Sequence, residues 1–474
     1  MRSAEIAVAA AVAVFLSGCM VGPNYKRPPV STPPAFKEAA GWAPANPSDA
    51  AERSDWWTAF GDPTLDSLEA RVAVSNQNLA AALAAYQQAR ALVAEQRAAL
   101  FPTVGLSAQA SAAGGGRGAA KAGGGSVSTA SYQVGADASW APDIWGAVRR
   151  AVQNARANAQ ASAADLANAR LSAQMELAVD YVTLCELDQQ KRLLDATVTA
   201  YTISLTITQN KYKAGNVALS DVLSAKAQLE AAEAQDADLA NQRAADEHAI
   251  AILTGVPPAD LTLPAAAWSL ALPAIPTEIP STLLERRPDI AAAERQMAAA
   301  NAEIGVNVAA LYPTLNLTGE AGFASSSLST LFSAPSFAWT AAASLAETIF
   351  EGGLRHARIR AAKAAFDEAV ANYRQTVLTA FGQVEDNLAA QRILGGEEAY
   401  RAEASADADR DETIALNQYR AGQVDYTTVV TAQATALSDR VSLAQIQASR
   451  LTTAVDLIAA LGGGWSAADL PKKP

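Results

Sequence analysis

Histidine and cysteine are almost missing from this chain. Its 474 residues hold two of each: His248, His356, Cys19 and Cys185. The two histidines are far apart, so no Cys/His set has metal-ligand spacing. No G-x-S-x-G elbow occurs, and the Gly-rich stretch "GGGRGAAKAGGGS" lacks the Gly-Lys-Ser/Thr of a phosphate-binding loop. A nucleophile, a resident metal and a bound cofactor therefore have no sequence support, and an enzyme is not expected. Aromatic residues are scarce at 6%, and charged residues at 18% fall below the usual ~25%. Basic residues are outnumbered 36 to 48, and the net charge of −12 argues against a nucleic-acid partner. Beyond the N-terminus there is no long apolar run. If the chain crosses a membrane, it must do so as strands.

What is abundant is alanine. Half the residues are hydrophobic with few aromatics, which predicts helices packed closely through small side chains. The apolar run "IAVAAAVAVFLSGC" from Ile6 is too short for a comfortable bilayer span and sits where a signal-peptide core sits. Its ending, Leu16 to Cys19, resembles the bacterial lipoprotein cleavage box. The resemblance implies that the Cys19 thiol takes a diacylglycerol and that residues 1–18 are removed. Met20 follows where an inner-membrane retention signal would place Asp, which implies outer-membrane sorting. Cys185 would then have no partner in its own chain. It reads as a small buried hydrophobe in mid-helix.

Past Cys19, proline and polar residues predict an extended arm to about residue 64. The order of elements then repeats. A helix is expected from Leu65 to Leu100, two alternating strands follow Pro102, and a helical stretch runs from about Arg149 to Tyr212 with no interior Gly or Pro. After "KAGN" a second helix runs to about Thr254, and Pro-rich sequence closes the half at Pro280. The second half shows a helix from Ser281 to Leu311, strands after Pro313 and Ser336, and a long helix from Gly353 to Tyr419 with a break at Gly395–Gly396. "RAGQ" and a last helix to Leu461 complete it. "ALFPTVGLS" from Ala99 returns as "ALYPTLNLT" from Ala310, and "NKYKAG" from Asn210 returns as "NQYRAG" from Asn417. Matching phrases in matching order indicate an internal duplication. The units are residues 65–280 and 281–465, with a tail at 466–474.

The strands are about ten residues long, the length of a tilted membrane strand. Each has an apolar face and a polar face, with aromatics near the ends, as a lipid-facing barrel requires. Four strands cannot close a barrel, so several chains must contribute. Two copies or three would both serve. The long helices carry seams at spacings of three and four, Leu184 to Tyr212 in one and Leu437 to Ile458 in another, the pattern of coiled coils. A hairpin of ~90 Å must project from the body. Gly215 and Gly422 can take the left-handed conformation that lets each hairpin reverse.

With "LSGCMVGPNYKRP", the two "AL(F/Y)PT" phrases, "PDIWG", "ERRPDIAAAE", the two tip phrases and "ALGGGW" in order, the chain resembles the outer-membrane factor (TolC-like) family, in its lipoprotein branch of tripartite efflux systems. The resemblance covers nearly the whole chain. It implies a mainly α fold with transmembrane β: a trimeric channel-tunnel with four barrel strands per chain, a 12-stranded barrel and long periplasmic coiled-coil hairpins. It implies a lipid-anchored, barrel-spanning outer-membrane protein and a passive exit duct for drugs or other small toxic compounds. Its partners would be copies of itself in a homotrimer, outer-membrane lipid, a periplasmic adaptor and an inner-membrane pump of the resistance-nodulation-division type. A type I protein-secretion duct and a lipid-anchored coiled-coil scaffold without a pore are the rival readings. The adaptor-contacting tips would be Tyr212, Ala214, Gly215, Asn216, Tyr419, Ala421, Gly422 and Gln423. Thr427 and Thr431 stand where relatives narrow the tunnel with an apolar residue or Asp, so a neutral constriction is expected. Glu403, Asp407 and Asp411 recur every four residues on one helical face, either a solvated outer face or an acidic tunnel wall.

Overall fold

A computed structural model describes residues 20–38, 53–114, 128–265, 270–275 and 283–471. Residues 1–18, expected to be a signal sequence, Cys19 and most of the Gly-rich loop after the first strand lie outside the described residues. Seven helices and four strands carry the fold: α1 (Pro63–Ser75), α2 (Gln77–Ala98), β1 (Thr103–Gly114), β2 (Ser128–Trp140), α3 (Ala147–Lys213), α4 (Leu219–Leu253), α5 (Pro288–Ala309), β3 (Thr314–Ser325), β4 (Phe337–Ala346), α6 (Leu354–Arg420) and α7 (Tyr426–Ala460). The second half repeats the first, as the duplicated phrases predict.

Helices α3 and α6 have 67 residues each, which makes them ~100 Å long. Both start after a left-handed glycine, Gly146 and Gly353. A carboxylate just upstream meets the free amides of each first turn. Asp143 accepts from the Val148 and Arg149 amides, and Glu351 accepts from the Arg355 amide. The negative charge suits the positive helix end. Alanine's high helix propensity carries the interior.

Toward the sheet, α3 lies between α2 and α5, with α6 beyond α5. Toward the hairpin tips, α3 lies between α4 and α7, with α6 beyond α7. The short helices are thus spliced end to end beside the long ones. At the first splice the Asn76 side chain caps α2, accepting from the Asn78 and Leu79 amides, and donates to the last carbonyl of α4, Leu253 O, at 2.9 Å. At the second, Arg287 donates to Ala460 O at 3.0 Å. Each splice needs a left-handed glycine, Gly255 and Gly462. A Cβ there would fall 2.2 Å from Ser75 O and 2.3 Å from Arg286 O. The main core sits at this level. Leu177, Tyr181 and Leu184 of α3, Tyr373 and Val377 of α6 and Leu451 of α7 are buried together there.

Four expectations are corrected. The single helix from Leu65 to Leu100 is two helices, because Asn76 takes extended angles to bridge to α4. The helix from Ser281 is a short turn, Leu283–Arg286, followed by α5 from Pro288, which cannot donate to a preceding turn. The break at Gly395–Gly396 is absent, and α6 is continuous through it. Gly395 sits beside the Arg450 guanidinium, which would be in ordinary contact with a Cβ there at 3.6 Å. The stretch Arg53–Phe60, expected to be extended, is 3-10 helical and buries Trp56, Trp57 and Phe60 in the core.

The sheet is antiparallel in the order β1-β2-β3-β4. Register keeps like faces together. Leu106 lies opposite Ala136, Val134 opposite Phe323 and Leu315 opposite Leu345; on the other face Gln109 lies opposite Gln133 and Asp137 opposite Glu320. The apolar face is bare: Leu106 is 84% and Trp339 71% exposed. Both edge strands, β1 and β4, have one unpaired side. No described helix is long and apolar enough to cross a membrane.

Candidate functional site

At each tip the chain reverses through a closed turn. The Gly215 amide donates to Tyr212 O at 2.9 Å and the Asn216 amide to Lys211 O at 2.9 Å; Gly422 donates to Tyr419 O at 3.0 Å and Gln423 to Gln418 O at 2.9 Å. This pairing satisfies the last carbonyls of α3 and α6 and requires the left-handed conformation at Gly215 (φ +74°) and Gly422 (φ +73°). Ala214, Asn216, Ala421 and Gln423 are all exposed at the turns.

The two tips then differ. Tyr212 is 43% exposed, whereas Tyr419 is 3% exposed. Tyr419 packs on Tyr426 with ring centres 5.3 Å apart. Burial, with Tyr419 and Tyr201 nearby, pushes the Tyr426 hydroxyl pKa up to about 12. Lys211 from the first hairpin reaches across. Its Nζ donates to Tyr419 O at 2.5 Å and lies 3.8 Å from the centre of the Tyr419 ring. A cation thus meets both a π face and the negative end of α6. The Thr208 and Tyr419 hydroxyls are 3.2 Å apart. Lys211 carries no motif of its own. Its role depends on a residue 208 positions away.

Thr427 and Thr431 share the exposed face of α7, opposite the buried Tyr426 and Val429. The Thr431 hydroxyl donates to Thr427 O at 3.0 Å. Glu403, Asp407 and Asp411 are all exposed on α6, and Asp407 pairs with Arg410 at 2.8 Å. Their neighbours Asp409 and Glu412 turn the other way and both bind Arg440 of α7 at 2.7 Å. Only part of the acidic run therefore remains exposed on the single chain.

The arm that follows Cys19 is strapped to the body. Met20 packs on Gly146, and the Val21 amide donates to Trp145 O at 3.1 Å. Arg150, 2% exposed, gathers Val21 O, Gly22 O and the Asn24 side chain at 3.1 Å each. Gly22 passes so close to Gly305 that a Cβ would sit 2.6 Å from its Cα. Farther on, Tyr25 donates to Glu294 at 2.5 Å, Arg27 to the Tyr373 hydroxyl, and the Lys37 and Glu38 amides to Glu385. The arm begins beside the base of β2 and runs along α5 and α6. The aromatic stack of Trp145 on Tyr312, 4.7 Å between centres, closes the same junction. Arg150 was not singled out from sequence; an arginine in an Ala-rich helix start carries no signal of what it holds.

Among the described residues, no group of three or more His, Cys, Asp or Glu side chains could hold a metal ion. Cys185 is buried, and burial pushes its thiol pKa up to about 12.

Residues 70–256 and 279–463 match the family model for outer membrane efflux proteins. Over 464 residues the chain is 32% identical to the solvent efflux pump outer membrane protein SrpC of Pseudomonas putida, covering 96% of this chain and 97% of that protein. It is 30% identical over 427 residues to the pyoverdine export outer membrane protein OpmQ of Pseudomonas aeruginosa, covering 89% and 90%. Among solved structures it superposes on the outer-membrane channel OprN with a TM-score of 0.87 at 30% identity, covering 94% of this chain and 100% of that one. The two hairpins, the splices and the four-stranded sheet are those of this fold.

Proposed function

Because the chain belongs to the outer membrane efflux protein family, we propose that it is the outer-membrane duct of a tripartite efflux pump, passing small toxic compounds outward without chemistry of its own. The observation that carries this reading is the sheet. One face is apolar and exposed, the other polar, both edges are open, and helices of ~100 Å continue from its base. Open edges do not persist in hydrocarbon. Three copies would close a barrel of 12 strands with its polar face inward, and their hairpins would form the wall of a periplasmic tunnel. The names of SrpC and OpmQ, a solvent efflux pump outer membrane protein and a pyoverdine export outer membrane protein, favour a small-molecule cargo over a protein.

The tip residues Tyr212, Ala214, Gly215, Asn216, Tyr419, Ala421, Gly422 and Gln423 would meet a periplasmic adaptor joined to a resistance-nodulation-division pump. Thr427 and Thr431 would form a neutral ring at the tunnel's narrow end. A diacylglycerol on Cys19 fits the strapped arm: Met20 is held at Gly146, six residues past the end of β2, which in a closed barrel would lie at the height of the periplasmic leaflet. A photo-crosslinker at Asn216 and at Gln423, in cells, tests the partner. Capture of an adaptor supports the reading. Capture of this chain alone, together with unchanged solvent and antibiotic susceptibility on gene deletion, would sink it.

A further inference from the structure

The contact between the two repeats inside one chain is a template for the contact between chains. Within the chain, β2 pairs with β3, α3 packs on α5, and α3 packs on α7. The repeat-related surfaces, β4 with β1 and α6 with α2 and α4, lie on opposite flanks of the chain and are not joined there. This step rests on the proposed assembly of copies. It asks which side chains that assembly brings together.

Positions correspond at an offset of 207 residues from the second strand of each repeat through the tip, as Asn210 to Asn417 and Lys226 to Gln433. The strand pairings correspond likewise, because Ser139 pairs with Thr103 as Ala346 pairs with Thr314. The leading helix and strand correspond at 211. Transferring the β2–β3 register across the flank sets Leu345 opposite Ala108 of the next copy and Ser344 opposite Gln109. Apolar then meets apolar and polar meets polar. A slip of one residue would reverse every face, so this agreement is a real check on the transfer.

The same transfer applied to the helices is more informative. Inside the chain, Gln433 of α7 donates to Ser204 of α3 at 3.4 Å in a buried contact. The corresponding residues are Lys226 of α4 and Asp411 of α6. A neutral hydrogen bond becomes an ammonium facing a carboxylate. Both residues are exposed at the flanks of the single chain, and Lys226, 61% exposed, meets only its own-helix neighbour Glu230 at 3.4 Å. Tyr419, buried under Lys211 and Thr208, corresponds to Tyr212, which is exposed and would be covered by Gln418 of the next copy. We propose that Lys226 of each copy forms an ion pair with Asp411 of the next, 11 residues from each tip glycine, closing the tunnel wall between copies in the geometry of the Ser204–Gln433 contact. Near the surface such a pair adds little affinity. Its value lies in orientation more than in affinity.

The test is disulfide trapping of the full-length protein in isolated membranes, in a Cys185→Ser background. Lys226→Cys with Asp411→Cys is expected to give a dimer and trimer ladder that reductant collapses. Ser204→Cys with Gln433→Cys should stay at monomer mass, since that pair closes within one chain. Ala108→Cys with Leu345→Cys reports the barrel seam. A ladder from the barrel pair without one from the helix pair overturns the proposal and leaves the assembly standing. No ladder from either overturns both. The charge swap is the second reading: Lys226→Asp and Asp411→Lys should each lower the temperature at which the trimer falls apart, and the double swap should restore it. Failure of the double swap to restore it counts against the pair.

Discussion

Glu69 is the residue least at ease in this chain. It lies fully buried on α1, with no hydrogen-bond partner for either carboxylate oxygen. Burial pushes its pKa up to about 9, from an ordinary 4.5. The raised value means that the folded state holds a proton the unfolded chain gives up. The contribution is harmless below pH 4.5 and grows more destabilising as pH rises toward 9. Glu69→Gln should therefore leave the melting temperature at pH 5 almost unchanged and raise it at pH 8.5, followed by circular dichroism in detergent. A parallel rise at both values would place the effect elsewhere. Lys211 offers the converse case, a charge that is well used. Lys211→Met keeps the stem but removes the donor and the cation over Tyr419. A loss of about 1–2 kcal/mol in local stability follows from these contacts, and amide exchange near both tips should quicken roughly five- to thirtyfold. Unchanged exchange would show that Tyr419 and Tyr426 hold the tips by themselves. Neither residue was readable in advance, because a buried Glu and a cross-hairpin Lys look like surface charges in a one-dimensional pattern. The tip glycines were readable, because a left-handed turn between two helical runs is a local demand.

At the level of elements, periodicity located nearly every helix and strand, and two of its errors share one cause. The expected break at Gly395–Gly396 assumed that glycine ends helices. Here Arg450 fills the space beside it, and its backbone carbonyl accepts from Gln391 at 2.5 Å. The missed break at Asn76 arose the same way, since the carbonyl it caps belongs to Leu253, 177 residues away. Local propensity cannot register a partner from another part of the chain. Glycines of the two kinds should respond oppositely to alanine. Gly255→Ala and Gly462→Ala place a methyl against a backbone oxygen in a left-handed conformation, and each should destabilise by more than ~1 kcal/mol. Gly396→Ala sits in regular helix with nothing within 4 Å and should stabilise by ~0.5–1 kcal/mol. Thermal melts of the three variants decide this. A neutral Gly255→Ala would mean that the splice between α2 and α4 yields easily.

For the molecule as a whole, alternation in the strands told the two faces of the sheet apart. Composition could not say which charges share a height, because that depends on register. Asp137 lies directly opposite Glu320 on the polar face, and like charges so placed repel. The Asp137 carboxylate leans over β1, where a Cβ at Gly105 would sit 2.9 Å from both its oxygens. In a closed barrel of three copies, six carboxylates would ring the lumen at one level. A ring of fixed negative charge in a confined pore raises the local cation concentration, most strongly when salt is dilute. Asp137→Asn with Glu320→Gln should therefore lower the preference for potassium over chloride, read as a smaller reversal potential across a bilayer in a salt gradient. The difference from the native channel should widen as the dilute side falls from 0.1 M toward 0.01 M. If the reversal potential does not move, the field that selects ions lies in the helical tunnel. Neutralising Glu403, Asp407 and Asp411 would then separate a lumenal wall from a solvated outer face, with Asp411 expected to change trimer stability rather than selectivity.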